Sequence, residues 1–322
     1  MAAHSFPDVQ KTAVGGEMPL VSVIIPTYNR AHFLKTAIES VQNAGARDLD
    51  YEIIVIDDGS TDNTREILKN YSVKILSSSR QGPCAARNAG IKEARGEFIA
   101  FLDDDDVWCQ NYPRKQVDFL CKNPQYGAVL SQMMVVDEHL NPRFGPFPNK
   151  EIQSGWMFKS LFNYVPPTSS IFVRRSILDE TGLFSTEIDA GEDWDLMFRI
   201  SQKFQVGYIP EIGILYRSHR KPQQNDVEKE GRKIYERCKV TASVFKKYAK
   251  YLGIKDKLIV QKAYWKHKGF YIPGIMNLVL NSYKEKKYSA ALRLLTYSIR
   301  LSPIHTIVQL LKAPSAFGKD AQ

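Results

Sequence analysis

The sequence has few cysteines, and those it has lie far apart. Its four cysteines, Cys84, Cys109, Cys121 and Cys238, form no CxxC pair, and residues 1–17 lack the apolar run of a secretory leader. Disulfide frameworks belong to oxidising compartments, and structural zinc sites need closely spaced cysteine pairs. We therefore expect reduced thiols in a cytoplasmic protein, and neither a disulfide framework nor a zinc site.

Long apolar runs and glycine-rich phosphate loops are also missing. The longest apolar candidate, Phe270–Leu280, is interrupted by Pro273 and Gly274, so we expect no transmembrane helix. No GxxxxGK[ST] or GxGxxG segment occurs, which excludes a P-loop and a dinucleotide-binding turn. A phosphate-bearing substrate would need another means of charge neutralisation.

The two parts of the chain carry net charges of opposite sign. The composition, 43% hydrophobic and 25% charged over 322 residues, is that of an ordinary soluble protein. Residues 1–219 hold 22 Lys and Arg against 28 Asp and Glu, whereas residues 220–322 hold 22 against 7. This asymmetry predicts an acidic unit able to hold a metal and a basic unit facing anionic material. We expect a flexible leader at 1–18, a main domain at 19–220 and a basic helical extension at 221–322.

Apolar runs of strand length alternate with helical patterns in the first hundred residues. Strands are predicted at 20–25, 51–56, 73–76 and 98–102, with helices at 31–42, from about 62, and at 83–93. This alternation indicates right-handed βαβ units, and hence an α/β fold with a mostly parallel sheet flanked by helices. Further strands are predicted at 128–136, 165–173 and 206–215.

Three of the predicted strands end in polar clusters, at residues 26–30, 57–60 and 103–106. Each cluster alone is typical of a turn, but three at corresponding strand ends indicate a ligand site. The third cluster is four consecutive aspartates, which repel one another unless a cation or hydrogen-bond donors lie among them. Mg2+ or Mn2+ shared with a substrate phosphate fits this chemistry; the alternative is an acidic loop that caps a helix and faces water. An EF-hand loop is excluded, because Trp108 and Arg114 would occupy its glycine and glutamate positions.

Five motifs follow one another in the chain: Val23–Arg30, Val55–Asp62, Gly82–Gly90, Phe101–Trp108 and Gly191–Asp193. Together they resemble glycosyltransferase family 2. The resemblance covers roughly residues 19–220 and implies a GT-A fold for that domain, with an inverting reaction on a nucleotide-sugar donor.

The resemblance implies that the first three motifs bind the donor nucleotide. Tyr28 would stack on the base, and Asp58 would accept a hydrogen bond from the base imide, which favours uracil. The other nucleotide-contacting positions that the resemblance implies are Pro26, Thr27, Arg30, Asp57, Arg87 and Asn88.

The resemblance further implies a divalent metal, Mn2+ or Mg2+. Asp105 would bind it, while Asp103 and Asp104 would contact the ribose or metal-bound waters. His219 would lie near the metal or the diphosphate.

The family's catalytic base corresponds to Asp193. It would take the proton of the acceptor hydroxyl, and Glu192 would contact the acceptor or the loop. Because Asp193 lies at a predicted helix N-terminus, we expect its carboxylate to be ionised.

The sequence therefore predicts a metal-dependent glycosyltransferase of cell-envelope polysaccharide synthesis that acts on a glycan or lipid-linked acceptor. The basic region 221–322 could dock on an anionic membrane at its cytoplasmic face; a bundle that covers the core or forms a homodimer is the alternative. Two other functions stay open: a nucleotidyltransferase that makes nucleotide sugars, and a non-enzymatic protein that binds nucleotide sugars or anionic surfaces. No nucleic-acid partner is expected, because the basic region has no recognisable nucleic-acid-binding motif.

Overall fold

The structure is a computed structural model. It describes residues 21–44, 49–149, 152–164, 166–188, 190–218, 227–253, 256, 265, 272–273, 275–285 and 287–311. The predicted leader at 1–18 and the predicted metal-site residue His219 lie outside the described residues.

Nine strands of the described residues pair into one mixed sheet. They are β1 (Val21–Thr27), β2 (Tyr51–Asp57), β3 (Lys74–Ser77), β4 (Phe98–Phe101), β5 (Val107–Trp108), β6 (Tyr126–Val136), β7 (Pro142–Phe147), β8 (Phe172–Arg174) and β9 (Gln205–Arg217). Their order is β3-β2-β1-β4-β8-β6-β9-β5, and β7 pairs with β6. The first four strands are parallel, as predicted, whereas β8 pairs antiparallel with both β4 and β6.

The predicted strand at 165–173 is wrong over most of its length. β8 begins only at Phe172, and a short 3-10 helix, Thr168–Ser170, precedes it. Pro166 and Pro167 have no N–H to give to a sheet ladder, and the carbonyl of Pro167 instead accepts the N–H of Ser170 at 2.9 Å. The turn places this segment beside the aspartate loop.

Helices cover both faces of the sheet. They are α1 (Ala31–Asn43), α2 (Thr64–Leu68), α3 (Pro83–Glu93), α4 (Tyr112–Lys122), α5 (Arg175–Thr181), α6 (Glu192–Lys203), α7 (Val227–Ala249), α8 (residues 275–284), α9 (Tyr288–Leu301) and α10 (Pro303–Leu311). No helix among the described residues is both long enough and apolar enough to span a bilayer.

The central strands bury side chains on both faces, which explains their continuous apolar runs. In β1, Val23 and Ile25 pack with the apolar face of α1, while Ile24 points to the opposite core. On that opposite face α3 approaches the sheet closely at Gly90. A Cβ there would lie 2.7 Å from Ile24 and 2.8 Å from Ile56, so only glycine permits this approach.

Helix α7 belongs to two apolar cores. Phe245 and Tyr248, near its carboxyl end, pack in the large core that includes the sheet and α6. Cys238, nearer its amino end, packs instead in a separate cluster with α8 and α9. The C-terminal helices are therefore joined to the main domain through a shared helix.

Candidate functional site

The ends of β1, β2 and β4 bring the three polar clusters to one edge of the sheet. β1 pairs in parallel with both neighbours, with Thr27 opposite Asp57 and Ile24 opposite Phe101. The ladder continues one residue further, where the N–H of Asp58 donates to the carbonyl of Thr27 at 2.9 Å. Parallel strands end at the same edge, so the clusters predicted from sequence do meet.

The first two clusters are tied together by the Asn29 side chain. The side-chain oxygen of Asn29 accepts the N–H of Thr61 at 2.7 Å, and the backbone N–H of Asn29 donates to the Ser60 hydroxyl at 2.9 Å. Asn29 adopts the left-handed region, with φ 53°, which asparagine tolerates better than most residues. Asp57 caps the same turn by accepting the N–H of Ser60 at 2.8 Å, and Arg65 contacts its other oxygen.

Asp58 holds the loop that leads into α3. Its carboxylate accepts the N–H of Gln81 at 2.9 Å, the N–H of Gly82 at 2.7 Å and the hydroxyl of Ser78. Both oxygens are therefore in use within the protein. Any hydrogen bond from a nucleotide base to Asp58 would be shared with this loop.

The ring of Tyr28 stands beside that loop. Tyr28 follows Pro26 and Thr27, which are buried at the end of β1, and is itself half-buried. The guanidinium of Arg80 lies 5.1 Å from the Tyr28 ring centroid, in cation–π geometry. Tyr28 and Asp58, the two predicted base-contacting residues, thus border the same loop.

Arg30 pairs with the two central aspartates of the third cluster. Its guanidinium lies 3.1 Å from Asp104 and 2.5 Å from Asp105. Burial raises the pKa of Asp104, Arg30 lowers it and the charge of Asp105 raises it again, giving a pKa of about 7. The loop is therefore close to a change of charge at neutral pH.

Asp106 is an internal brace of the same loop. It is 1% exposed and accepts the Ser169 hydroxyl at 2.6 Å and the N–H of Arg217 at 2.9 Å. Arg217 also donates through Nε to the carbonyl of Asp105 at 2.7 Å. Burial and the charges of Asp105 and Asp103 raise the pKa of Asp106 well above its usual value.

The chemistry of the aspartate loop suits a hard divalent cation. The side chains of Asp103 and Asp105 are 28% and 13% exposed, and carboxylate oxygens are the ligands that such cations prefer. Within the part of the chain that the structure describes, no three acidic, histidine or cysteine side chains are already arranged around a common point. Arg30 already pairs with Asp105, so a divalent cation bound to Asp105 would compete with this ion pair.

Arg87 joins the aspartate loop to helix α6. Its guanidinium is buried and contacts Asp103 at 2.6 Å and Glu192 at 3.3 Å. The ring of Phe184 lies against it, 5.3 Å from centroid to guanidinium. Burial lowers the pKa of Arg87, but the charges of Asp103 and Glu192 raise it by more. The guanidinium of Arg87 therefore stays positively charged.

Asp193 lies in the first turn of α6, next to Glu192. Burial and the charge of Glu192 raise the pKa of Asp193 to about 8, although the N–H of Trp194 and the charge of Arg87 oppose this shift. The surroundings of Asp193 therefore oppose the ionised carboxylate that its position at the helix N-terminus favours. Desolvation and a like charge outweigh the helix N-terminus.

Asn88 does not face the cluster edge. Its amide donates to the carbonyl of Phe184 at 2.8 Å and accepts the N–H of Phe184 at 3.0 Å. Both polar ends of Asn88 therefore hold the segment that carries the Phe184 ring. The contact between Asn88 and the nucleotide stays a prediction.

Three residues of the site make contacts that the sequence interpretation did not predict. Ser169 bonds Asp106 and also accepts the N–H of Asp103 at 3.0 Å; Arg217 bonds two residues of the loop; and Ser78 bonds Asp58. Their partners are between 20 and 112 positions away, so no local pattern marks them.

Comparison with known sequences identifies a family. Residues 22–182 match the model described as "Glycosyl transferase family 2". An uncharacterized glycosyltransferase of Methanocaldococcus jannaschii is 32% identical over 216 residues, covering 63% of this chain and 72% of that protein. The minor teichoic acid biosynthesis protein GgaA of Bacillus subtilis is 32% identical over 226 residues, covering 65% of this chain and 49% of that protein.

Other relatives are much longer than this chain. An uncharacterized glycosyltransferase of Rickettsia bellii is 33% identical over 193 residues, which is 59% of this chain but 27% of that protein. The chain thus spans less than a third of that relative's length.

Solved structures show the same fold at low sequence identity. TarS 1–349 of S. aureus, in complex with UDP-GlcNAc, matches with a TM-score of 0.56 at 17% identity, covering 86% of this chain and 90% of that chain. The mannosyltransferase PcManGT of Pyrobaculum calidifontis, in complex with GDP-Man and Mn2+, matches with a TM-score of 0.57 at 17% identity, covering 91% and 87%. The likeness establishes a GT-A fold for this chain.

Proposed function

The chain belongs to glycosyl transferase family 2, and we propose that it is an inverting, metal-dependent enzyme that transfers sugar from a UDP-sugar to an acceptor hydroxyl. The observation that carries this proposal is the link made by Arg87. It connects Asp103, in the donor-side aspartate loop, directly to Glu192, the neighbour of the proposed base Asp193. One edge of the sheet therefore offers groups for both halves of the reaction.

The donor nucleotide would lie against the ends of β1 and β2. Tyr28 offers a stacking face, and the loop held by Asp58 lies beside it. A uracil base suits a carboxylate acceptor for its imide N–H. Two structures of TarS support a nucleotide donor, because one is a complex with UDP-GlcNAc and the other a complex with UDP.

The metal would be held by Asp105, with Asp103 and Asp104 beside it. When bound, a divalent ion offsets the negative charge that develops on the departing diphosphate. Arg30, released from Asp105, is close enough to the loop to add a second positive charge toward the same group. The Mn2+ in the mannosyltransferase complex supports this cofactor class.

Asp193 would act as the general base. Once deprotonated, it takes the proton of the acceptor hydroxyl while that oxygen forms a bond to the anomeric carbon and the bond to the diphosphate oxygen breaks. Attack opposite the leaving group inverts the anomeric configuration. A carboxylate with a pKa of about 8 is a better proton acceptor than an ordinary aspartate, provided that it starts ionised.

The acceptor would be a glycan or lipid-linked polymer of the cell envelope. The name of the Bacillus subtilis relative refers to teichoic acid synthesis, and the basic C-terminal part of this chain suits an anionic acceptor or surface. We propose the boundaries 19–220 for the catalytic domain and 221–322 for the basic helical extension.

The extension would also bring the enzyme to an anionic membrane surface. On α9, Tyr288, Leu292 and Ile299 are 57%, 67% and 46% exposed, and their spacing of four and seven places them along one side of the helix. Vesicle flotation tests this membrane binding. The proposal is supported if the protein binds phosphatidylglycerol vesicles, if Leu292→Ser weakens that binding, and if the control Ile75→Ser leaves it unchanged. Equal binding to neutral vesicles, or a homodimer that buries α9, would count against it.

The reaction itself is tested with a panel of UDP-sugars, Mn2+ and envelope polymer fractions. Acceptor-dependent release of UDP, and a product whose anomeric proton coupling shows inversion by NMR, would support the proposal. Formation of pyrophosphate from UTP and a sugar phosphate would indicate the nucleotidyltransferase alternative.

A further inference from the structure

Helix α6 is held by the C-terminal helix α7 through a buried carboxylate. Asp195, two residues beyond Asp193, is 1% exposed. It accepts hydrogen bonds from Lys247 Nζ at 2.8 Å and Tyr248 Oη at 2.8 Å, both on α7, and from Arg199 Nε at 2.9 Å. Burial raises the pKa of Asp195, but these three partners outweigh it and hold the pKa below its ordinary value.

Apolar contacts follow the same interface along α6. The rings of Trp194 and Phe245 lie 4.5 Å apart, and Tyr248 stacks on Phe198 with centroids 4.8 Å apart and planes 22° from parallel. Tyr248 therefore uses its ring for packing and its hydroxyl for Asp195. Aromatic pairs of this kind restrict both rotation and sliding of a helix.

The start of α6 touches the same helix. Gly191, with φ 78°, is so close to α7 that a Cβ on it would lie 2.9 Å from Cγ2 of Thr241. The turn that carries Glu192 and Asp193 is thus bounded by α7 at Gly191 and at Asp195. Glu192, in the same turn, also contacts Arg87.

The partners of Asp195 divide into two groups with different anchors. Arg199 lies on α6 itself and donates to the carbonyls of Thr181 and Gly182, so it ties Asp195 to the end of α5. Lys247 and Tyr248 come from α7 alone. Only the second group connects the C-terminal helices to the site.

We propose that Lys247 and Tyr248 are positioning residues of the transfer reaction: by holding Asp195, they fix the first turn of α6 and thereby aim Asp193 at the acceptor hydroxyl. This inference rests on the proposed function of Asp193. It makes α7 part of the catalytic unit, although the sequence places α7 in the basic extension. A shift of about 1 Å in a reacting group lowers a rate by up to about 100-fold, so such anchoring is measurable.

The test compares Tyr248→Phe, Lys247→Met and their double variant with wild type in steady-state transfer assays well below the melting temperature. Tyr248→Phe keeps the stacked ring and removes only the hydroxyl. Matched controls are Lys250→Met, at an exposed lysine directly after α7, and Tyr235→Phe, at a tyrosine of α7 that stacks on Tyr297. UDP affinity is measured in parallel by calorimetry.

We expect kcat of the double variant to fall about 10-fold or more, with the KM for donor and the affinity for UDP within twofold of wild type. Lys247→Arg, which keeps the charge, should retain most of kcat, and both controls should match wild type. A double variant with a lowered melting temperature but unchanged kcat would overturn the inference, because Asp195 would then serve stability alone. If the double variant does not fold, the same criteria apply to Tyr248→Phe.

Asp193→Asn separates this inference from the proposed function. An inactive Asp193→Asn together with a fully active double variant would overturn only the role of α7. A fully active Asp193→Asn would overturn the base assignment, and with it the reason to position that turn.

Discussion

The guanidinium of Arg30 lies 2.5 Å from a carboxylate oxygen of Asp105, the residue predicted to bind the metal. The guanidinium of Arg30 therefore lies where we expect the metal ion to bind. A metal ion bound to this carboxylate would share it or compete with the guanidinium, because the two like charges would repel each other. The site therefore balances the charge of Asp105 with a cation of its own, and Arg30 is a potential competitor of a bound metal.

Replacing Arg30 by glutamine should strengthen Mn2+ binding in the absence of nucleotide. The competing cation is removed, and partly exposed ion pairs of this kind contribute up to about 1 kcal/mol, so affinity should rise by up to about fivefold. Titration calorimetry at pH 8 measures it, with Lys35→Gln on the exposed side of α1 as the control. Weaker binding in Arg30→Gln would show that Arg30 supports the metal instead of competing with it.

Asp193→Asn should abolish transfer without affecting the donor site. Loss of a general base lowers kcat by about 100- to 10,000-fold, and the amide is nearly the same size, so UDP affinity should stay unchanged. Asp179→Asn, at an exposed aspartate of α5, is the matched control. A simultaneous loss of UDP binding would indicate that Asp193 belongs to the donor pocket.

Transfer should depend on pH through Asp193. The base must be deprotonated and its pKa in the free enzyme is about 8, so kcat/KM should rise with pH and reach half its maximum near pH 8. Because the charge of Glu192 raises this pKa, Glu192→Gln should move the rise to lower pH. Glu187→Gln, at an exposed position before α6, should leave the profile in place. If Glu192→Gln leaves the pH profile unchanged, the titrating group is not Asp193.

Gly191→Ala should destabilise the protein. At φ 78° an alanine is strained, and its Cβ would lie 2.9 Å from Cγ2 of Thr241, which together lower the free energy of unfolding by about 1–3 kcal/mol. Thr241→Ser removes that methyl group and keeps the hydroxyl, so the double variant should recover part of the loss in denaturant unfolding. If Gly191→Ala and the double variant are equally stable, α7 moves enough to accommodate the alanine Cβ.

The sequence predicts the parts of the site that depend on local pattern. Each of the three polar clusters directly follows an apolar run that forms a strand. Because β1 pairs in parallel with β2 and β4, the clusters at the ends of these strands must meet. The first turn of α6 was also predicted, from Gly191–Asp193. In each case a few consecutive residues carry both the structural and the chemical signal.

Long-range pairing accounts for what sequence alone did not predict. Arg87 contacts Glu192 across 105 positions and Lys247 contacts Asp195 across 52, and nothing near Arg87 or Lys247 indicates these partners. The raised pKa of Asp193 follows from burial, which a helix-terminus argument does not include. β8 is short because Pro166 and Pro167 precede it, and their effect depends on which strands lie beside them.

Thermal shift with UDP, with and without Mn2+, on wild type and Asp105→Asn tests the central claim most directly. Ligand that binds the folded state raises the melting temperature by mass action. We predict a rise in wild type that needs Mn2+ and a much smaller rise in Asp105→Asn, whose amide is a poorer metal ligand. A rise that is equal in both proteins, or no rise with any nucleotide and metal, would contradict a metal-dependent donor site at the aspartate loop.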